Sequence, residues 1–396
     1  MPSAFEPRLR AFAEVMVRAG LNLQPGQRLL IAEPYELQGV ARSAEVIVEA
    51  VKSAAGEAGC PHPAGVEVIW GDGARLREFA VQKDWRGFAE LVEANACRMQ
   101  EYIRNHDALL FLQGSQPRLL DGLPAAAVTE LRRIGWEHFG PVAQQLVQGA
   151  TNWTVAPAPG PAWAHAAYPD LPAEQRLAAL WQEVFTAMRV NEPAPLAAWQ
   201  VHLLYLTQQR DELNARRLTG LRYQGEGTDL TVRLPPGHVW STAQLVTPRG
   251  LPFVANLPTE EIFTAPHCDS AEGPMRVARP INHGGAVIDG IELEFRRGRV
   301  VTAQARTGGE LLRRLLDTDD GAGRLGEVAL IPHETSLARA DRLFHHPLLD
   351  ENAANHVALG EGYGFNLNSA DRSPLNRSLI HVDLPVAAAV QLQAGN

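Results

Sequence analysis

Four segments in the second half of the chain carry oxygen and nitrogen side chains suited to divalent metals: Thr259-Glu260-Glu261, Gly326-Glu327-Val328, the run Leu349-Asp350-Glu351 to His356, and His381-Val382-Asp383. Residues i and i+2 of a strand face the same way, so His381 and Asp383 aim at one point. Each segment alone is weak, because acids and isolated His-x-Asp pairs are commonly solvated surface. Counted jointly they say more. Four carboxylates (Glu261, Glu327, Glu351, Asp383) and two imidazoles (His356, His381), with no cysteine, are the ligand types of a hydrolytic two-metal centre. A single structural zinc more often uses thiolates.

Geometry sharpens two of these positions. A regular helix from Glu351 to Leu359 with Asp350 as N-cap sets Glu351 beside Asn355 and turns His356 about 140° further round. The two then serve one ion pair only at the helix's first turns, or if two metals sit side by side. If Thr259 to Phe263 is extended, Glu260 and Glu261 face opposite ways, so at most one is a direct ligand unless a turn intervenes.

The elements that must hold these residues follow from periodicity. Leu9, Phe12, Val15, Met16 and Ala19 recur at helical spacing between Arg8 and Leu21. Arg28 to Pro34 reads as a buried strand, Ala41 to Ala55 as a helix, and Val66 to Trp70 as a second strand before the turn Gly71-Asp72-Gly73. That order predicts a parallel βαβ unit. A helix over Trp85 to Arg104 and a third strand over Ala108 to Leu112 extend it, placing Glu33, Asp72 and Gln113 at strand ends where α/β sheets collect ligands. Ala156 to Pro161 is proline-rich and predicts a linker or edge crossing. A helix follows over Pro172 to Arg189 and another through Asn214, with Trp163, Trp181 and Trp199 as core residues. Beyond Leu218 the texture changes to short strands, over Thr228 to Leu234, Phe253 to Ala255, Gly285 to Phe295, Val300 to Arg306 and Glu327 to Ile331. The expected division is residues 1–215 and 216–396.

Composition excludes several function classes. The net charge of −9 in 396 residues lacks the dense basic footprint of a duplex nucleic-acid binder. Cys60, Cys97 and Cys268 have no CxxC spacing, so neither a disulfide framework nor a thiolate zinc site is expected, and a reducing cytoplasm is the plain inference. The start, Met1 to Pro7, has no leader pattern, and no segment supplies a membrane helix.

The runs Asn256 to His267, Leu325 to Pro332, Leu349 to Gly360 and Ser378 to Asp383, with Leu23 to Gln27 and Gly227 to Leu230, resemble the signature segments of the M29 metallo-aminopeptidases, the aminopeptidase T and aminopeptidase S family. The resemblance spans nearly the whole chain. It implies an α/β N-terminal domain plus an α+β, strand-rich, thermophilic metalloprotease-like C-terminal domain that binds metal. It also implies a homodimer that releases N-terminal amino acids from peptides with two divalent ions. Carried over by motif, the ligands are Glu261, Glu327, Glu351, His356, His381 and Asp383, and Tyr363 matches a tyrosine beside the metals whose phenol stabilises the oxyanion. Glu260 is then the candidate general base or amine anchor. Carboxylates and imidazoles accept zinc, cobalt, manganese or magnesium, which leaves the ion open. Two features depart from the pattern: the chain runs only thirteen residues past Asp383, and Pro385 is expected to disturb the strand that aims His381 and Asp383. The rival expectations are a metal-binding homologue without peptidase activity and a two-metal amidase or esterase.

Overall fold

A computed structural model describes the chain apart from residues 1–4, 34–38, 62–64, 115, 118, 284–285, 333, 341 and 395–396. Met1 to Ala4, Pro34 and Gly285 of the segments above therefore lie outside the described residues. The chain forms two compact units, Met1–His202 with Ala243–Thr259, and Leu203–Thr242 with Glu260–Asn396. They are not consecutive stretches: Ala243–Thr259 returns to the first unit, and the helix Pro195–Ala215 runs across the division near residue 203.

The first unit is built on a four-stranded parallel sheet in the order Val66–Val68, Leu29–Ala32, Ala108–Gln113, Trp153–Pro157. Leu29 to Ala32 and Ala108 to Gln113 are buried at every position, the near-continuous apolar run of a parallel strand enclosed on both faces. The helix Trp85–Arg104 buries Phe88, Val92, Ala96, Met99 and Ile103 at spacings of three and four, and Asp84 caps it by accepting from Gly87 N. The proline-rich stretch is not a linker. Ala156 and Pro157 complete the edge strand Trp153–Pro157, and Pro161 opens the helix Pro161–Ala167, where a missing N–H costs nothing. The helices Gly73–Gln82 and Ala125–Val147 are absent from the sequence reading. Asp72 caps the first of these and lines a cavity of about 550 Å³ with Arg42, Trp70, Arg75, Phe79 and Gln116, whereas Glu33 and Gln113 are buried and outside that lining. Trp163, Trp181 and Trp199 are buried, and the three cysteines are free.

The second unit is strand-rich. One four-stranded antiparallel sheet runs Ile262–Thr264, Leu325–Leu330, His356–Gly360, His381–Pro385. The expected single strand from Gly285 to Phe295 is two, Ala286–Ile288 and Glu292–Arg296, broken at the left-handed Gly290. After Asp383 the chain forms a further strand: Ala389–Ala394 pairs with Leu218–Gly225 in a three-stranded sheet.

The helix expected over Glu351 to Leu359 does not form. Asp350 lies inside the short helix Pro347–Glu351 and its carboxylate accepts from Phe344 N and His346 N, so it is no cap for a following helix. The backbone turns over Asn352 to Asn355, and His356–Gly360 is a fully buried central strand. Asn355 explains the stop, because its Oδ1 accepts Ile331 N at 2.7 Å and ties the turn to the neighbouring strand's end. Pro385 does not disturb its strand either. Val386 N donates to Asn355 O at 2.9 Å, which makes His356 and Pro385 a non-hydrogen-bonded pair, and the strand is at the sheet edge, so proline forfeits no ladder bond.

Candidate metal centre

Alternation along this sheet separates core from chemistry. Ile262, Val328, Val357, Leu359, Val382 and Leu384 enter the apolar core. The other parity carries Phe263, Glu327, Ala329, His356, Ala358, His381 and Asp383. Register then sets the neighbours: Glu327 and Asp383 flank Ala358, and His356 stands opposite Ala329, whose other partner is Phe263. Ala358 and Gly360 leave the middle of this face low, which makes space for the carboxylates. Leu325 and Glu327 would share a face without the register shift between them. The extra residue there is Gly326, where a Cβ would lie 2.2 Å from Glu361 O. The bulge sends Leu325 into the core and Glu327 to the centre.

His356 Nε2 lies 3.2 Å from Glu261 Oε2, 3.6 Å from Glu327 Oε1 and 4.0 Å from Asp383 Oδ1. His381 Nε2 lies 3.5 Å from Asp383 Oδ1 and 4.0 Å from Glu327 Oε2. Two groups result, Glu261 with Glu327 and His356, and Glu327 with His381 and Asp383, each with its ligand atoms within 4.8 Å of one another. Glu327 belongs to both. Glu351, expected to bridge, belongs to neither group. Glu351 stands beside them: it hydrogen-bonds Asp383 and feels the charges of Glu261, His356 and Glu327.

Backbone carbonyls set the imidazoles. His381 Nδ1 donates to Glu361 O at 2.9 Å and His356 Nδ1 to Ala354 O at 3.2 Å, which turns each Nε2 to the centre. Residues that sequence reasoning missed hold this frame. Asp319 accepts from Ser378 Oγ and Leu379 N, and Glu361 Oε2 accepts from Ser378 N, fixing the turn before His381. Asn352 Oδ1 accepts Glu260 N at 2.6 Å while its Nδ2 donates to Leu348 O. Only the local Asn and Asp turn chemistry hinted at these roles.

Glu260 and Glu261 are both buried and precede the strand, so extended alternation does not govern them. Glu261 reaches His356. Tyr363 lies over the sheet: its ring stacks on His381 at 5.1 Å and meets Phe263 edge-on at 6.2 Å.

Charge dominates the electrostatics. Burial pushes Glu351 well above its ordinary range, reinforced by Asp383 and Glu261, and pushes Glu327 up despite the hydrogen bond from His356. Burial alone would lower both imidazoles. Glu261 and Glu327 outweigh it and raise His356 well above 6.5, while Asp383 and Glu327 raise His381 to about 9. Asp383 is lowered: burial opposes ionisation, and His381 and His356 overcome it. Four carboxylates, Glu261 and Glu327 buried and Glu351 and Asp383 half-buried, facing two imidazoles hold more negative charge than side chains alone can settle, and oxygen and imidazole donors of this kind match divalent cations.

Such a face, on an antiparallel sheet in a strand-rich unit, defines a metal-centre protein of hydrolytic type. The family model described as thermophilic metalloprotease (M29) matches residues 5–392, and the chain belongs to that family. It is 37% identical to Aminopeptidase T of Thermus thermophilus over 386 residues, covering 96% of this chain and 92% of that protein. It is 33% identical to Aminopeptidase AmpS of Bacillus subtilis, covering 97% and 93%, and 34% identical to Aminopeptidase 2 of Geobacillus stearothermophilus, with the same coverage. The solved structure of wild-type AmpT from Thermus thermophilus superposes with a TM-score of 0.88 at 36% identity, covering 99% of this chain and 96% of that one. Among the described residues no helix is long and apolar enough to cross a membrane.

Proposed function

We propose that this centre releases N-terminal amino acids from peptides with two divalent ions, held by Glu261, Glu327, Glu351, His356, His381 and Asp383. The aminopeptidase activity rests on membership of a metalloprotease family and on whole-length similarity to aminopeptidases. The observation that carries the two-ion reading is the pair of ligand groups sharing Glu327. Such ions supply Lewis acidity at the scissile carbonyl and make water acidic near neutral pH. The remaining roles belong to the protein. The carboxylates attract the substrate's ammonium group. Glu260, anchored through its backbone by Asn352, accepts the proton of the attacking water at its carboxylate and returns it to the leaving amine. The Tyr363 phenol donates to the oxyanion developing on the scissile carbonyl. Zinc, cobalt, manganese and magnesium all suit the donors. The reading extends to a homodimer in the cytoplasm.

Replacing Glu327 by Gln and assaying aminoacyl anilides with added metal tests this. Turnover should fall at least about tenfold, the scale seen when even a hydrogen-bonding partner of a metal ligand is lost. Unchanged turnover rules the assignment out. A panel of simple amides and esters separates a peptidase from a general amidase or esterase.

A further inference from the structure

The segment that follows the Tyr363 position, Gly364 to Ser369, has no part in the reaction described above. The chain makes a single 3-10 turn over Gly364–Asn366, placing Tyr363 before it and Phe365 within it. Phe365 stacks on Tyr363 with ring centroids 5.3 Å apart and planes 7° from parallel. On Tyr363 the second stacking partner is His381, at 5.1 Å and 29°. Phe263 closes the edge, 6.2 Å from Tyr363 and 6.1 Å from Phe365. The turn is tied down by Asn366, which is buried. Its Nδ2 donates to Val239 O at 2.9 Å and Ser241 Oγ at 3.1 Å, and its backbone N donates to Tyr363 O at 3.0 Å. Phe365 is nevertheless 36% exposed. A large apolar ring left this open stabilises little by burial, so its stacking geometry is the informative property.

We infer that Phe365 and Asn366 are positioning residues that hold the Tyr363 ring against His381, so that the phenol is aimed before substrate arrives. The inference rests on the proposed donor role of Tyr363. A phenol on a free side chain has two torsions to settle, whereas one stacked on two rings has its ring plane fixed and donates without reorganisation. Asn366 sets where the turn sits on the sheet, and Phe365 sets the ring plane. The contacts of Phe365 and Asn366 are with Tyr363, Phe263, Val239 and Ser241 and not with the ligand groups, so their loss acts on kcat and leaves metal affinity intact.

The test is a double-mutant cycle on the full-length, metal-loaded protein with an aminoacyl 4-nitroanilide. Phe365→Ala should lower kcat by about 10-fold to about 100-fold, the scale of a misplaced catalytic group, with KM within about twofold and Phe365→Tyr restoring the rate. In a Tyr363→Phe background the same Phe365→Ala change should do nothing further, because the group it positions is gone. Asn366→Ala should couple to Tyr363→Phe in the same way. A second readout needs no turnover. In protein carrying 13C-labelled histidine, Phe365→Ala should shift the His381 ring protons downfield as the Tyr363 ring current is lost, with metal affinity by chelator competition unchanged. If Phe365→Ala costs the same factor with and without the phenol, or leaves kcat and the His381 resonance alone, the inference is overturned. If Tyr363→Phe itself leaves kcat unchanged, the donor role fails instead.

Discussion

Loading metal into the chelated protein should release protons in a number readable from the centre. At pH 7.5 a His381 with its pKa at about 9 is protonated by about 30 to 1. A metal ligand must be neutral imidazole, so His381 alone gives up close to one proton. His356, raised well above 6.5 by Glu261 and Glu327, adds up to a second. Glu351 and Glu327, both raised by burial, add to the same side. The expected release is therefore about one to about three protons. It shows in the colour change of a pH indicator in weak buffer, or in calorimetric heats compared between buffers of different ionisation enthalpy. The same coupling makes affinity depend on pH. Between pH 6.5 and 9 the neutral fraction of a group titrating at about 9 rises by about 150-fold, so affinity should climb by at least that factor and flatten above pH 9. Binding without proton release, or an affinity level across that range, refutes the account of the charges.

The remaining predictions use the same face. Ala358→Leu fills the low ground between Glu327 and Asp383, and should abolish metal uptake while costing about 1 to 3 kcal/mol in urea unfolding. Retained metal stoichiometry in that variant contradicts the placement. In the metal-free protein His381 binds its proton more tightly folded than unfolded, so the stability it contributes is complete below about pH 6.5 and is lost as pH rises through about 9. Raised Glu327 and Glu351 act in the same direction. The Tm of the metal-free protein should therefore fall from pH 6.5 to 9, and added divalent ions should remove most of the fall. A Tm that rises over that interval sinks the argument.

Much of the site was legible because its chemistry and its period agree. His381-x-Asp383 declares a shared strand face by alternation alone, and counting oxygen and imidazole ligands together pointed to a metal centre of hydrolytic type. The parallel sheet of the first unit was legible for the same reason, since Leu29 to Ala32 and Ala108 to Gln113 are unbroken apolar runs. What misled was local propensity. Glu351 to Leu359 contains residues tolerated in a helix, yet His356-Val357-Ala358-Leu359-Gly360 is drawn into the centre of a sheet, and the Asn355 contact that enforces the turn reaches Ile331, just past a strand end, 24 positions away. The bulge at Gly326 was hidden likewise, because its cause is Glu361 O in a distant segment. The central place of Glu327, opposite Ala358, was hidden by both, since it comes from strand pairing and the bulge and not from a helix. Asn352, Asn366 and Asp319 carry no catalytic signature, and their work as anchors is a matter of long-range hydrogen bonds.

The most direct measurement is anomalous diffraction at the absorption edge of the metal, from crystals of the full chain grown with zinc, cobalt or manganese. The account predicts two peaks, one among Glu261, Glu327 and His356 and the other among Glu327, His381 and Asp383, with Glu327 touching both. A single peak, or ions bound away from these side chains, would contradict it.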